Sequence, residues 1–156
     1  MFGIRDIWLC ANSIIKSARQ MVNEELEPLK LSSAEGNILL HLLTSEHIMR
    51  QEDLVEELEV SRPAVSRALL SLERKGFVER KKDFADKRVS RVFLTEKARE
   101  IGPTVENIYE DVFSLAAEGV SEDEIRSFIE LFKRISRNFS AARQEKGNGG
   151  YTNGFQ

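Results

Sequence analysis

The chain has 156 residues and a mass of 17.8 kDa, with 41 % hydrophobic and 31 % charged residues. This size favours one domain, or one domain with long helical extensions, and the composition excludes a chain that is disordered throughout. No apolar run approaches the roughly 20 residues of a membrane-spanning helix, and Arg5 and Asp6 interrupt the stretch where a signal peptide would be apolar. We therefore expect no membrane partner and a cytoplasmic location.

Charge is distributed unevenly along the chain. The net charge is −3, yet residues 61–91 contain ten Lys or Arg and only four acidic residues, which leaves +6 in that segment and −9 in the remainder. A concentrated positive segment on an otherwise acidic protein indicates one surface that faces a polyanion.

Two helices are expected before the basic segment. Apolar residues recur at helical spacing over residues 4–26, and Pro28 ends that helix. Ser32 followed by Glu35 is a capping-box pattern, which predicts a second helix over about 33–45.

A pair of shorter helices follows, joined by a very short turn. The third helix is predicted over 51–58, and Ser61 is the expected N-cap of a fourth helix over about 62–75. Pro63 is tolerated in the first turn of that helix, and Gly76 is typical of a helix C-cap. Because the turn is so short, the two helices must cross steeply.

The hydrophobic period then changes from helical to alternating. Residues 77–82 and 89–95 are predicted to be the two strands of a β-hairpin, with the charged segment 83–88 as the loop between them.

Two further helices follow the hairpin. The first starts after Thr95 and has apolar residues every 3.5 positions, which predicts a packing seam for another helix at Ile101, Val105, Ile108, Val112 and Leu115. The second is opened by Ser121 and Glu124 and is expected over about 122–141.

A helix pair with a tight turn and a following hairpin predicts a winged helix–turn–helix. The start of the second helix in this motif reaches base edges in the major groove, where arginine bonds guanine, and long cations on the wing suit the narrow minor groove. Arg74 and Lys75, at the other end of that helix, are expected to complement its dipole. The candidate DNA contacts are Gln51, Ser61, Arg62, Pro63, Ser66, Arg67, Lys87, Arg88 and Arg91.

The run from Gln51 to Thr95 resembles the MarR family of transcriptional regulators. The similarity lies in three segments: Ser61-Arg62-Pro63-Ala64-Val65-Ser66-Arg67, Leu72-Glu73-Arg74-Lys75-Gly76-Phe77-Val78-Glu79-Arg80, and Asp86-Lys87-Arg88-Val89-Ser90-Arg91-Val92-Phe93-Leu94-Thr95. The last of them matches the family's wing pattern, whose aspartate fixes an arginine, so the resemblance implies an orienting role for Asp86. Ala98 departs from the glycine that the family often has after Leu-Thr. The flanking helices agree in number and order, so the resemblance covers roughly residues 4–142.

The resemblance implies a homodimer that binds double-stranded DNA at a pseudo-palindromic operator. The first, fifth and sixth helices of two chains would interlock through their apolar stripes. The expected fold is mainly α with a small β-hairpin wing. Its parts are an N-terminal dimerisation helix (1–30), a winged helix–turn–helix lobe (31–95), C-terminal dimerisation helices (96–142) and a disordered tail (143–156).

The resemblance also implies an effector, because many members of the family bind small anionic or phenolic molecules between the dimer helices and the winged lobe. The candidate effector-binding residues are Trp8, Asn12, Arg19 and His41. For Trp8 and His41, which lie on apolar helix faces, a position in the protein core is the competing interpretation.

Cys10 is the only cysteine, which excludes a disulfide framework within the chain and a multi-cysteine zinc site. In the hydroperoxide-sensing branch of the family, a reactive cysteine occupies a similar place and pairs with tyrosines of the second helix. Residues 33–45 contain no tyrosine, so we expect Cys10 to be buried and inert, with redox sensing as the alternative. His41 and His47 lack a third ligand at metal spacing, so no metal site is expected.

The sequence favours a regulator over an enzyme. It contains no phosphate-binding glycine loop in a strand-to-helix context and no Gly-x-Ser-x-Gly motif, and we expect neither enzymatic activity nor a cofactor. The predicted function is that of a dimeric, sequence-specific transcriptional repressor that a small effector releases from its operator. The alternatives are a winged-helix module that binds other proteins, and a redox-sensing regulator that acts through Cys10.

Overall fold

A computed structural model describes residues 1–148, and the chain divides into two compact units, one formed by Met1–Phe113 and the other beginning at Ser114. The helices are α1 (Ile4–Leu26), α2 (Ser33–Thr44), α3 (Gln51–Leu58), α4 (Arg62–Arg74), α5 (Glu96–Ala116) and α6 (Glu122–Asn148). The strands are β1 (Met49–Arg50), β2 (Val78–Lys82) and β3 (Ser90–Leu94). The expectation of a mainly helical winged fold is confirmed.

Helix boundaries follow the capping residues. The Ser32 hydroxyl accepts a bond from the backbone N–H of Glu35 at 3.2 Å, and the Glu35 carboxylate accepts one from the N–H of Ser32 at 3.2 Å. Ser121 and Glu124 repeat this arrangement at the start of α6, at 3.3 and 2.8 Å. Both predicted capping boxes are therefore present. Each one satisfies backbone N–H groups at the start of a helix that have no partner within the helix.

The wing is part of a three-stranded antiparallel sheet with the order β1-β3-β2. The hairpin pairs Val78 with Leu94 and Lys82 with Ser90. Strand β1, in which Met49 pairs with Val92, was not predicted. This strand has only two residues and cannot show alternation, so it exists only because β3 supplies a partner.

The core of the first unit lies between the helices and one face of the sheet. Its fully buried side chains include Leu26, Leu39, Met49, Leu54, Val65, Leu69, Leu72, Val78 and Val105.

Two glycines allow helices to approach each other closely. A Cβ on Gly36 would overlap the Leu26 side chain and lie 3.0 Å from the Tyr109 hydroxyl, and one on Gly102 would lie 3.0 Å from Leu43.

A buried carboxylate ties α2 to α4. Glu35 is only 6 % exposed, and both of its carboxylate oxygens accept bonds from the Lys75 ammonium group at 2.9 Å. The Ser71 hydroxyl adds a bond at 3.1 Å, and Lys75 also reaches the carbonyl oxygen of Lys30 at 2.7 Å. Lys75 therefore forms a specific tertiary ion pair, which the expected interaction with the helix dipole did not include.

The predicted seam along α5 is largely used inside the first unit. Val105 and Ile108 are buried in its core, and Ile101 and Val112 pack against that core. Only Leu115 remains exposed. The 3.5-residue spacing identified a real packing face, but Val105 and Ile108 are buried in the chain's own core, so the expectation that the seam faces a second chain is wrong for these two positions.

Helix α6 is longer than predicted. It extends to Asn148, so the boundary drawn at residue 142 is too early, and residues 143–148 are helical where a disordered tail was expected. Ala141, Ala142, Arg143, Gln144, Glu145 and Lys146 are all favourable in helices, which explains the extension. The rest of the predicted tail, residues 149–156, lies outside the described residues.

Candidate DNA interface

The turn between α3 and α4 sets the orientation of the α4 helix. Glu59 adopts a left-handed backbone conformation with φ = 51°, which ends α3 abruptly, and Val60 alone separates it from the next cap. The Ser61 hydroxyl then accepts a bond from the N–H of Ala64 at 3.3 Å. Pro63 occupies the first turn, as predicted. Ser61 is therefore a structural cap, and its predicted contact with DNA would be additional to that role.

One face of α4 is anchored and the other is free. Val65, Ala68, Leu69 and Leu72 are buried, whereas Arg62, Pro63, Ser66 and Arg67 are exposed. This division follows the helical period. The hydrogen bonds and ion pairs of residues 1–148 include none from the side chains of Ser66 and Arg67. The four residues predicted to enter the major groove thus lie together on an open surface.

Arg62 is the one member of this group that is already paired. Its Nε lies 3.1 Å from both carboxylate oxygens of Glu52, and its Nη2 lies 2.6 Å from Oε1. Glu52 belongs to α3, so this ion pair spans the turn of the helix–turn–helix. Glu52 was not predicted as part of this site, because its contact with Arg62 depends on the crossing angle of the two helices.

The loop of the wing is organised by Asp83. Its carboxylate accepts bonds from the N–H groups of Ala85 at 3.2 Å and Asp86 at 3.1 Å, and from Arg91 Nε at 2.7 Å. The loop is closed by a bond from the N–H of Asp83 to the carbonyl oxygen of Val89 at 2.8 Å. Asp83 was not predicted, although an aspartate that opens a short polar loop is a known turn signal.

Asp86 and Arg88 form a pair at the tip of the wing. Oδ1 of Asp86 accepts bonds from the backbone N–H of Arg88 at 3.0 Å and from its Nε at 3.1 Å, and Oδ2 accepts one from Nη2 at 3.2 Å. The Arg88 side chain nevertheless remains 91 % exposed. This is the contact that an orienting role for Asp86 requires. Lys87, next to it, is exposed.

Arg91 and Gln51 are further predicted DNA contacts that are engaged within the protein. Arg91 is half-buried, and its bond in the structure is the one to Asp83. Gln51 is the first residue of α3, and its Oε1 accepts a bond from Nη1 of Arg80 at 3.5 Å. Nη2 of Arg80 donates to the Glu73 carboxylate at 2.8 Å. Gln51 and Arg88 line the same surface depression, together with the exposed and unpredicted Lys82, so the start of α3 and the wing share one concave surface.

Four acidic groups of this surface are paired with arginines. A hydrogen bond from Arg62 lowers the pKa of Glu52, one from Arg80 lowers the pKa of Glu73, and those from Arg91 and Arg88 lower the pKa values of Asp83 and Asp86. Each of these carboxylates is thus ionised at neutral pH beside a cation. The positive charge that remains comes from the exposed Arg67, Lys82 and Lys87, which makes the surface suitable for an anionic partner.

The four candidate effector residues do not form one cavity. Asn12 and Arg19 line a shallow depression on the surface of α1, together with Ile15, Lys16, Gln20, Asn23 and Glu24. His41 is half-buried in α2, and its Nε2 lies 2.6 Å from the Glu57 carboxylate of α3. Trp8 is 66 % exposed, so the interpretation that placed it in the core of the chain is wrong.

Cys10 is exposed on α1, so the expectation of a buried thiol is also wrong. It lies on the part of α1 that precedes the first buried residue, Val22. Within residues 1–148, no group of three or more His, Cys, Asp or Glu side chains is arranged to hold a metal ion. No helix in the same range is both long enough and apolar enough to cross a bilayer.

Known proteins resemble this chain in both sequence and fold. Residues 29–89, which contain α2, α3, α4 and β2, match the MarR family. A Bacillus subtilis (strain 168) protein described as the uncharacterized HTH-type transcriptional regulator YybA is 26 % identical over 135 residues, which cover 86 % of this chain and 89 % of that protein. It is named as a regulator and not as an enzyme, in agreement with the predicted absence of enzymatic activity.

Solved structures extend the likeness beyond the matched segment. The transcriptional regulator SlyA superimposes with a TM-score of 0.79 and 26 % identity, over 88 % of this chain and 96 % of that one. A Listeria monocytogenes protein, described as a putative MarR family transcriptional regulator complexed with 26mer DNA, has a TM-score of 0.78 and 24 % identity over 99 % of both chains. Residues 29–89 are thus similar in sequence to the MarR family, and these solved structures share the winged helix–turn–helix fold of the chain.

Proposed function

We propose that the chain is a sequence-specific, DNA-binding transcriptional regulator that acts as a homodimer in the cytoplasm. The observation that carries this proposal is the open surface of α4, where Arg62, Ser66 and Arg67 lie exposed on a helix whose opposite face is fixed in the core. A helix presented in this way fits the major groove, and its arginines can bond guanine. The Listeria monocytogenes relative solved with DNA supports the same assignment through its shared fold.

The wing supplies a second contact to the same duplex. Arg88 is highly exposed at the tip of a loop that Asp83 and Asp86 fix by hydrogen bonds, and Lys87 is exposed beside it. A long cation on a rigid tip suits the negative potential of a narrow minor groove. Ser61, Gln51 and Arg91 complete the proposed interface as phosphate or backbone contacts.

Exposed apolar helix faces support the homodimer. On α1, Ile4, Ile7, Trp8 and Ile14 are exposed, and on α6 so are Phe128, Ile129, Leu131 and Phe139. Apolar surfaces of this extent are unfavourable in water and mark places where another chain binds. A two-fold dimer would place two recognition helices about one turn of DNA apart, which requires a pseudo-palindromic operator.

Repression and effector release are the finer part of the proposal. A dimer bound to an operator would block transcription, and an effector with higher affinity for a lobe spacing that does not fit DNA would release it. The depression lined by Asn12 and Arg19 has the polar and cationic groups that a small anionic or phenolic molecule would contact. Trp8 and His41 remain candidates for the same role in the assembled dimer.

The test compares DNA binding by the wild-type protein, the Arg67→Ala/Arg88→Ala double variant and the control variant Arg99→Ala. Arg99 is an exposed arginine on α5, outside α4 and the wing. We expect the double variant to bind at least tenfold more weakly and to show a shallower dependence of affinity on salt, by about 0.9 in log–log slope for each phosphate that the protein no longer neutralises. The control should bind as the wild type does, and all three should keep the same oligomeric state.

Other results would favour the alternative functions. If the double variant binds every duplex as well as the wild type, α4 and the wing do not contact DNA, and a module that binds proteins becomes the better account. Redox sensing gains support from the exposure of Cys10. It predicts that peroxide weakens DNA binding by the wild type but not by a Cys10→Ser variant, whereas an inert thiol leaves both unaffected.

A further inference from the structure

The ion pair between Glu52 and Arg62 uses only one edge of the arginine. The carboxylate contacts Nε and Nη2 at 2.6 to 3.1 Å, which is the two-pronged geometry of a strong arginine–carboxylate pair. Among the hydrogen bonds of residues 1–148, none involves Nη1 of Arg62. The guanidinium is planar and carries five N–H donors, so the outer edge, formed by Nη1 and the second hydrogen of Nη2, remains available.

The free edge has the donors that a guanine requires. Guanine presents O6 and N7 as neighbouring acceptors in the major groove, and an arginine bonds both when two of its N–H groups point the same way. Arg62 is the first residue of α4, and its side chain is 77 % exposed. A side chain this exposed has many rotamers in solution, and ordering one of them opposes binding. The Glu52 carboxylate, on a separate helix, removes part of that freedom before DNA arrives.

We propose that Glu52 is a positioning residue for base recognition, which holds one edge of Arg62 so that the other edge is presented to a guanine in the major groove. This inference rests on the proposed DNA-binding function. Glu52 would then contribute to base recognition, although its negative charge repels the phosphates that the rest of this surface attracts.

The proposal predicts two effects of opposite sign when Glu52 is removed. The loss of a negative charge strengthens attraction to any duplex, because phosphates are repelled less. The loss of the carboxylate frees the Arg62 side chain, so the preference for guanine at its contact position falls. A residue with a purely structural role would change affinity for all sequences together and leave the preference unchanged.

Glu56 provides a matched control. It lies one turn further along α3, is exposed, and acts on Arg62 only through its charge, without a hydrogen bond in the described part of the chain. The variants are therefore Glu52→Ala, Glu56→Ala, Arg62→Ala and the Glu52→Ala/Arg62→Ala double variant. Circular dichroism and light scattering would first show that each keeps its helix content and oligomeric state.

The measurement begins with selection of a preferred duplex from a random-sequence DNA pool by the wild-type protein. Fluorescence anisotropy then gives the affinity of each variant for that duplex, for single-base variants of it and for a scrambled duplex. We expect both glutamate variants to bind scrambled DNA more tightly than the wild type. Only Glu52→Ala should also reduce discrimination, by up to about tenfold, at the guanine where Arg62→Ala abolishes it. In the Arg62→Ala background, Glu52→Ala should change that discrimination no further.

Two outcomes would overturn the proposal while leaving the DNA-binding function intact. One is that Glu52→Ala and Glu56→Ala discriminate equally well at every base pair. The other is that Arg62→Ala keeps the full preference of the wild type, since Arg62 would then read no base. If the wild type selects no preferred duplex at all, the proposed function itself fails, and the positioning role of Glu52 fails with it.

Discussion

Removal of the Glu35 carboxylate should destabilise the first unit far more than removal of a similar carboxylate at the surface. Glu35 accepts bonds from the Ser32 N–H and hydroxyl, from Ser71 and from Lys75. Losing the helix-capping bonds costs about 1 kcal/mol, and losing a hydrogen bond to a charged group costs about 1.5–3 kcal/mol. The Lys75 side chain is 35 % exposed, so solvent screens part of the ion pair and the lower values apply. We expect Glu35→Ala to lower the free energy of unfolding by about 3 kcal/mol.

The matched control is Glu124→Ala. Glu124 forms the same capping box with Ser121, but at the surface and without a lysine partner, so its removal should lower the free energy of unfolding by clearly less than the removal of Glu35 does. Urea unfolding followed by circular dichroism, at one protein concentration for all variants, measures both losses. If Glu35→Ala costs no more than Glu124→Ala, the buried network does not stabilise the junction of α2 and α4, and the reasoning is refuted.

The same pair of residues predicts a dependence on pH. Burial acts to raise the pKa of Glu35, but hydrogen bonds from Lys75 and Ser32 outweigh it, so the pKa lies below its ordinary value of 4.5. A carboxyl group whose pKa is lowered on folding contributes stability above its unfolded pKa and loses that contribution as the pH falls through its folded pKa. The stability difference between the wild type and Glu35→Gln should therefore be constant near pH 7 and shrink below about pH 4.5. A difference that does not shrink would contradict this assignment.

Three further predictions concern packing, assembly and the thiol. Gly36→Ala should destabilise the protein by about 1–3 kcal/mol in the same urea assay, because a Cβ at this position overlaps the Leu26 side chain. Alanine by itself favours helices, so a stabilised variant would contradict the close approach of the two helices. Phe139→Asp should weaken self-association, measured by sedimentation, at least tenfold. The control Phe84→Asp changes an exposed phenylalanine of the wing loop and should leave self-association unchanged. Equal effects of the two substitutions would remove α6 from the interface. Cys10 lies on the same face of α1 as Ile7 and Ile14, so in the proposed homodimer it should react with a thiol reagent more slowly than in the urea-unfolded chain. Equal rates in the folded and unfolded protein would remove this face of α1 from the interface.

Local signals in the sequence predicted most of the fold. Ser32 with Glu35 and Ser121 with Glu124 mark helix starts that the structure confirms, and Gly76 ends α4 with φ = 81°. These signals work because a cap satisfies backbone groups within three residues of itself. The two-residue strand β1 gives no such signal, since its bonds come from a strand more than 40 residues away.

The candidate site was predicted as a set of residues but not as a network. Helical period alone places Ser66 and Arg67 opposite the buried face of α4. The pairing of Arg62 with Glu52 depends on how two helices cross, and that of Arg91 with Asp83 on how a loop closes, so neither follows from spacing. The same limitation explains the α5 seam, because its period predicted a packing face without revealing that this face packs largely against the chain's own core.

The central claim is that α4 and the wing recognise a DNA sequence. The most direct measurement is the affinity of the wild-type protein, by fluorescence anisotropy over a salt series, for a duplex from upstream of its own gene and for a scrambled duplex of the same length and composition. The account predicts that the upstream duplex binds at least a hundredfold more tightly at physiological salt and that both affinities fall steeply as salt rises. Equal affinity for both duplexes at every salt concentration, or no binding to either at low salt, would contradict it.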